Sequence, residues 1–159
     1  MEELLKLIET NPTLTPAQLA VMLECSQEQV EKMIAECTAK GIIKGYRAVI
    51  DWEKTDTSMV KAMIELKVTP KKGRGFDEIA MAIAAMDEVE GVTLMSGGYD
   101  LLVEIRAKSF QEIAMFVFKR LSPMDDVNET ATHFVLRPYQ QAGIIFHEDE
   151  EDTRGLNAL

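Results

Sequence analysis

Residues 14–51 read LTPAQLAVMLECSQEQVEKMIAECTAKGIIKGYRAVID, and their spacing predicts a helix-turn-helix followed by a short β-rich segment. Thr15 is a plausible N-cap with Pro16 at the first helical position, and Ser26 is a second N-cap candidate after a short turn. Gly41 is expected to end the second of these helices, because helices commonly terminate at a glycine. That helix carries more acidic than basic residues, which raises the question of whether the chain binds nucleic acid at all.

Apolar residues at helical spacing extend the motif to a unit of three short helices. Residues 2–9 form the first helix, which the segment NPT ends. Residues 42–51 are β-rich around a glycine and indicate a small hairpin or a strand that leaves the helical unit. We expect residues 52–58 to be a linker. The apolar stripes that share the predicted core comprise Leu4, Leu5, Ile8, Leu19, Ala20, Leu23, Val30, Ile34 and Cys37.

The second half of the chain changes to an alternating pattern. Within residues 59–68 the even-numbered side chains from Val60 to Val68 are all apolar, as in a half-buried strand. The order of elements that follows is β-α-β-β-α-β, which predicts four antiparallel strands with both helices on one face. The remaining predicted helices cover 76–86 and 110–121, and the remaining strands cover 92–95, 100–107 and 132–139.

The predicted fold class is therefore α+β, with an N-terminal helix-turn-helix (winged-helix-like) domain and a C-terminal ferredoxin-like βαββαβ domain. The sheet face opposite the helices would be uncovered. Met59 and Met63 lie on that face, and we expect it to be apolar enough for face-to-face dimerisation. The predicted segments are a DNA-binding domain at 1–51, a linker at 52–58, an effector-binding and oligomerisation domain at 59–140, and an acidic extension at 141–159.

Composition bounds the class of protein. The chain has 159 residues, 47% of them hydrophobic, and a formal net charge of −10. No apolar run approaches the roughly 20 residues of a membrane helix, and Met1 leads into EELLKLIE without a signal segment, so we expect a cytoplasmic protein with no membrane partner. The net charge counts against strong attraction to DNA. Five acids at 148–152 indicate a solvated terminus.

The sequence carries no pattern typical of a catalytic, cofactor or metal site. GxSxG, P-loop and HExxH motifs do not occur, and Asp125 and Asp126 stand near Pro123 in a predicted turn. Cys25 and Cys37 have neither CxxC spacing nor a second pair, which indicates reduced, partly buried thiols. We therefore expect no enzymatic activity, no metal and no cofactor.

These elements and motifs together resemble the leucine-responsive regulatory proteins, the Lrp/AsnC family of bacterial and archaeal transcription factors. The resemblance covers about residues 1–140. The extension GIIFHEDEEDTRGL is similar to that of a Gram-positive subgroup. The most specific matching segments are LTPAQLAVMLECSQEQVEKMI at 14–34, KGIIKGYRAVID at 40–51 and SGGYDLLVEI at 96–105.

The resemblance implies a DNA-binding transcriptional regulator. Such a protein is a homodimer that assembles into a higher oligomer, often an octamer, and binds double-stranded DNA through its N-terminal domains. A small effector, commonly an amino acid, binds between the C-terminal domains and shifts assembly or affinity.

The second helix of a helix-turn-helix enters the major groove with its N-terminal residues at the base edges. Glutamine amides in this helix offer a paired donor and acceptor to adenine, a serine hydroxyl reaches a phosphate, and basic residues meet phosphate or guanine. The predicted DNA-binding residues are Ser26, Gln27, Gln29, Lys32, Lys40, Lys44 and Arg47.

The loop SGGYD at residues 96–100 has two interpretations. Paired glycines are an ordinary requirement of a tight hairpin. By resemblance, the same loop lies at the effector pocket, where backbone N–H groups would receive a carboxylate and an aspartate would meet an α-ammonium group. The predicted effector-binding residues are Gly97, Gly98, Tyr99, Asp100, Thr130, Thr132 and His133.

The chain departs from the family pattern at the reading helix. Glu31 and Lys32 stand where family members usually carry paired basic residues, and Glu24 stands where the turn often has a glycine. A left-handed conformation at Glu24 would cost roughly 1 kcal/mol. The acids suggest an alternative function, a metabolite-sensing oligomerisation partner with little direct DNA binding that acts by hetero-assembly with a paralogue.

Overall fold

A computed structural model describes residues 1–57, 59–70 and 75–146. The chain divides into two compact units, Met1–Ala48 and Val49–Leu159, and the division falls close to the predicted boundary at residue 51. The predicted acidic cluster at 148–152 lies outside the described residues.

The first unit contains three helices, as predicted. A small core joins them, and its buried members lie at the positions that helical spacing indicated. Ile34 and Leu23 are only partly buried and pack against that core. The helices are α1 (Glu2–Thr10), α2 (Pro16–Met22) and α3 (Gln27–Ala39), and the buried core residues are Leu4, Ile8, Leu19, Ala20 and Val30.

Two residues with left-handed backbone conformation follow the two helices of the helix-turn-helix, one after α2 and one after α3. Glu24, in the turn between α2 and α3, has φ of +50°, the left-handed conformation expected at a position where related turns often have a glycine. Gly41 has φ of +67° and follows Lys40, the C-cap of α3. A glycine adopts this conformation without steric cost, whereas Glu24 does so against the preference of a residue with a Cβ.

Residues 42–51 form neither the predicted hairpin nor the alternative, a strand that leaves the helical unit. These residues form no strand. A two-residue β-turn that reverses the chain tightly needs positive φ values, and Gly45 is not among the positive-φ residues. The segment begins with the Ile42 and Ile43 backbone N–H groups donating to the Cys37 carbonyl at 2.8 and 3.2 Å, and continues without regular secondary structure to residue 51.

The second unit confirms the ferredoxin-like prediction. The main elements are β1 (Val60–Val68), α4 (Phe76–Ala84), β2 (Val89–Leu94), β3 (Leu101–Ala107), α5 (Phe110–Phe116) with a π-helical turn (Val117–Leu121), and β4 (Val127–Phe134). The four strands form an antiparallel sheet in the order β2-β3-β1-β4. A 3₁₀ turn (Trp52–Lys54) precedes them, and a hairpin of β5 (Gln140–Gln141) and β6 (Ile144–Ile145) follows.

Three predicted boundaries need correction. The strand predicted at 92–95 is β2, which occupies Val89–Leu94. The last main strand was placed at 132–139, whereas β4 occupies Val127–Phe134. Its sequence VNETATHF is polar because β4 is an edge strand with few buried side chains, so hydrophobic alternation did not reveal its start. The β5–β6 hairpin spans the predicted boundary at residue 140 and was not anticipated.

The two faces of the sheet differ in chemistry. The helix-covered face is apolar, and Ala62, Ile64 and Leu66 are fully buried on it. The opposite face carries charges in cross-strand pairs, so the expectation of an apolar uncovered face is wrong. Met63 is flanked there by Lys61 and Glu65 along β1. The ion pairs are Lys61–Glu104, Arg106–Glu90 at 3.2 Å, Lys67–Glu129 at 2.8 Å and His133–Glu65 at 3.4 Å.

Candidate nucleic-acid interface and effector site

A reciprocal capping box starts helix α3. The backbone N–H of Gln29 donates to Ser26 Oγ at 3.2 Å, and the backbone N–H of Ser26 donates to Gln29 Oε1 at 3.0 Å. The start of α2 repeats this arrangement with Thr15 and Gln18. Each box satisfies backbone donors that the first turn of a helix leaves without partners.

This box gives Ser26 and Gln29 a structural role beside the predicted contact with DNA, because their side-chain oxygens help to start the helix. Gln27 and Lys32 remain exposed along α3. Among the predicted contacts in α3, these two side chains are therefore the ones that the capping box does not engage.

Gln27 also makes a contact that the sequence did not suggest. Its Nε2 donates to Glu31 Oε1 at 2.7 Å, one turn further along α3. Side chains four residues apart on a helix are neighbours. Glu31, at which the chain departs from the family pattern, is thus the partner of a predicted base-reading residue.

The predicted basic trio lies at the end of α3 and beyond it. Lys40 forms an i,i+4 ion pair with Glu36 at 3.8 Å. Lys44 and Arg47 are exposed in the extended segment. The Lys44 ammonium lies close to Gly41, where an added Cβ would be 3.0 Å from it, and a cation at the C-terminus of a helix is favoured by the helix dipole.

In the second unit, Asp100 closes the SGGYD loop. Its Oδ2 accepts from the Val68 backbone N–H at 2.8 Å, and its own N–H donates to the Leu66 carbonyl at 2.9 Å. Gly97 has φ of +140°, so one of the two glycines is needed for the backbone conformation. Asp100 therefore has a structural role, because it joins the loop to β1. This role is additional to the predicted contact with an effector.

The other predicted effector residues are divided between the two faces of β4. Thr130 pairs with Leu66 and Thr132 with Ile64, so both threonines lie on the helix-covered face. His133 lies on the charged face, within 3.4 Å of Glu65. Thr130 and the SGGYD loop share one end of the sheet, about 10 Å apart across two strand spacings, whereas His133 is not part of that group.

A cleft that the sequence interpretation missed lies at the other end of the sheet. It has a volume of about 420 Å³. The Arg106 guanidinium lies over the Trp52 ring at 5.5 Å from the centroid. Trp52 was placed in a linker, and a large aromatic residue in a polar linker was the signal available. The cleft is lined by Trp52, Met59, Lys61, Arg106, Leu136 and Phe146, among others.

Among the described residues, no helix is long and apolar enough to cross a membrane. Cys25 and Cys37 are free thiols, and Cys37 is buried.

A family model for the Lrp/AsnC ligand binding domain matches residues 61–145. The HTH-type transcriptional regulator YugG of Bacillus subtilis is 41% identical over 153 residues, which is 96% of this chain and 92% of that protein. The leucine-responsive regulatory protein of Haemophilus influenzae is 24% identical over 143 residues, with 90% of this chain and 86% of that protein covered.

Solved structures show the same fold. A transcriptional regulator of Neisseria meningitidis in complex with L-Met has a TM-score of 0.67 at 18% identity. The match covers 87% of this chain and 88% of that one.

Proposed function

This chain belongs to the Lrp/AsnC family of transcriptional regulators, and from that premise we propose that it binds double-stranded DNA through α3 and that an amino acid modulates its binding or assembly. The working form is a homodimer that assembles further, with an octamer as the expected size.

The observation that carries the DNA-binding proposal is the geometry of the α2–α3 unit. Both helices start at capping boxes, the left-handed Glu24 turns the chain between them, and the first residue of α3 is exposed. A helix presented in this way has its N-terminal residues available for base edges in the major groove. Lys32, Lys44 and Arg47 supply positive charge from the same unit.

A titration against duplex DNA tests this proposal. The full chain is mixed with its own upstream region and with unrelated DNA of equal length, at low and rising salt. We expect Lys44→Glu to weaken binding to both duplexes and to flatten the salt dependence by about one unit of slope. Lys6→Glu is the matched control, because it makes the same charge change on the exposed face of α1. Failure of the wild-type chain to bind at low salt would remove the proposal.

The amino-acid effector is supported by the family's ligand-binding domain and by the L-Met complex of the Neisseria regulator. Within this chain, Thr130 and the backbone of the SGGYD loop form the candidate site at one end of the sheet. Isothermal titration with each amino acid identifies the ligand. Thr130→Val then removes one hydroxyl from the candidate site and is expected to weaken binding, whereas Thr93→Val, on the exposed side of β2, is expected to leave it unchanged.

A second function is favoured by one specific observation. Glu24, Glu28 and Glu31 are exposed around the tip of α3, where they repel phosphates. These acids support a metabolite-sensing partner that acts through hetero-assembly with a paralogue and makes little DNA contact of its own. Comparing the pure protein with a co-expressed mixture separates the two functions, because binding that occurs only in the mixture supports the second.

A further inference from the structure

We propose that Glu31 is a positioning residue for sequence recognition: it holds the Gln27 amide at the tip of α3 so that this amide reads an adenine in the major groove. The inference rests on the proposed function, because it requires that α3 enters DNA.

The geometry of the pair fixes the orientation of the amide. Gln27 is the first residue of α3 and is exposed, and its Nε2 donates to Glu31 Oε1 at 2.7 Å. A carboxylate accepts hydrogen bonds but cannot donate them. Turning the Gln27 amide over would bring its oxygen against this carboxylate, so the contact selects one of the two amide orientations.

The fixed amide offers a defined pattern to DNA. Glu31 uses one of the two hydrogens on Nε2, which leaves Oε1 as an acceptor and the second hydrogen as a donor. Adenine presents an N6 donor beside an N7 acceptor in the major groove, and this pair is complementary to the amide. Guanine presents two acceptors there, so one of them would meet the Gln27 oxygen.

Helix α2 provides an internal comparison. It starts with the same kind of capping box as α3, but Pro16 stands at its first position and Ala20 stands one turn later. The Gln27–Glu31 pair is therefore not needed to start a helix in this unit. It is the feature that α3 has in addition, and it lies at the position from which base edges are read.

The same pair predicts opposite effects on affinity and on discrimination. Glu31 repels phosphates, so removing its charge strengthens binding to every duplex. Removing the hydrogen bond frees the Gln27 side chain, which must then be immobilised when it reads adenine. The charge effect is the same for every duplex, so it cancels in the ratio of affinities for two duplexes that differ at one base. That ratio therefore measures the second effect alone.

The test uses the full chain and a duplex that the wild-type protein selects from a random library. Dissociation constants are measured for that duplex and for its single-base variants with wild type, Glu31→Ala, Glu31→Gln and Glu28→Gln. Glu28→Gln is the matched control, because it removes another exposed carboxylate from the first turn of α3. Circular dichroism verifies that each variant is folded.

We expect all three variants to bind every duplex more tightly than wild type. Glu31→Ala lowers the preference for adenine at one position, by roughly two- to tenfold, the cost of immobilising a freed side chain. Glu31→Gln lowers it by less, because its side-chain amide still accepts from Gln27 but can also donate, and so no longer excludes the other orientation of the Gln27 amide. Glu28→Gln leaves the preference unchanged.

Gln27→Ala identifies the position that is read. It is expected to reduce the adenine preference there by roughly 5- to 150-fold, the value of a bidentate contact, and adding Glu31→Ala is expected to change it no further. Unchanged preference in Glu31→Ala, or a loss at a base that Gln27→Ala does not affect, overturns the inference while DNA binding stands. Absence of DNA binding by the wild type overturns the inference together with the proposed function.

Discussion

The two units of the chain differ in how far apart along the sequence their contacting residues lie. In the first unit, Ser26 and Gln29 share a capping box across three positions, whereas in the second, Val68 and Asp100 are joined across 32. Five buried residues form the core cluster of the first unit, against twelve in the second. The difference teaches that a small unit relies on contacts between near neighbours, because it buries too little surface to depend on its core alone.

The largest expected effect breaks the core of the second unit. Ile64 is fully buried at the centre of β1, and Ile64→Ala is expected to lower the free energy of unfolding by about 3 kcal/mol. Met63→Ala, on the opposite face of the same strand, is the control and should cost less than half as much. Denaturation followed by the fluorescence of Trp52, the single tryptophan, reports on this unit. Equal losses would show that the two faces contribute alike.

The next effect tests the local contacts of the first unit. Ser26→Ala removes the N-cap of α3 and is expected to cost about 1 kcal/mol, measured as faster amide hydrogen exchange along α3. Ser26→Thr keeps a capping hydroxyl and should behave like wild type. Ser109→Ala removes the corresponding cap of α5. Because α5 also packs on the larger core, we expect its amide hydrogen exchange to become faster by less than that of α3. The comparison between units fails if α5 loses more protection than α3.

A stabilising change sharpens the same comparison. Glu24→Gly relieves the left-handed strain in the turn and is expected to raise the stability of the first unit by up to about 0.5 kcal/mol, after allowing for the greater freedom of glycine in the unfolded chain. Glu24→Gln removes the charge but keeps the strain, so its stability should stay near that of wild type. A gain in the glutamine variant equal to that in the glycine variant would attribute the effect to charge.

The smallest effect concerns the charged sheet face. Hydrogen bonding and attraction from Glu129 raise the pKa of Lys67. A raised lysine pKa contributes stability below the ordinary lysine pKa, and this contribution is lost as the pH rises through the raised value. Because the pair is exposed, we expect Glu129→Gln to lower the unfolding midpoint only slightly at neutral pH, and this small difference from wild type to vanish in strongly alkaline solution, where Lys67 is neutral in both proteins. A clear shift of the unfolding midpoint at neutral pH would mean that the charged face contributes more to stability than the comparison of Ile64→Ala with Met63→Ala predicts.

Local patterns in the sequence predicted much of the fold. The N-caps Thr15 and Ser26, the left-handed Glu24 and the strand around Ile64 depend on residues that are close together in the chain. The element order followed from the change between helical and alternating periods. The start of β4 was missed because an edge strand buries few of its side chains.

The parts of the candidate sites that were missed depend on residues that meet only in the folded chain. Trp52 and Arg106 contact each other across a long stretch of sequence, and no local pattern joins them. Thr132 and His133 are adjacent in a strand and therefore lie on opposite faces of β4, as strand alternation requires, but only the register shows which face each occupies. Ser26 and Gln29 form the S-x-x-Q pattern of a capping box, so their structural role could have been predicted.

The strand order of the sheet has a consequence for biosynthesis. β1 is the first strand to leave the ribosome, yet its two neighbours, β3 and β4, are both translated later. Until residue 134 has been added, one edge of β1 exposes unpaired backbone, while the helical unit, with its short-range contacts, folds ahead of it. The nascent chain thus carries a finished helical unit before an unfinished sheet, and the second edge of β1 is covered only when β4 pairs with it.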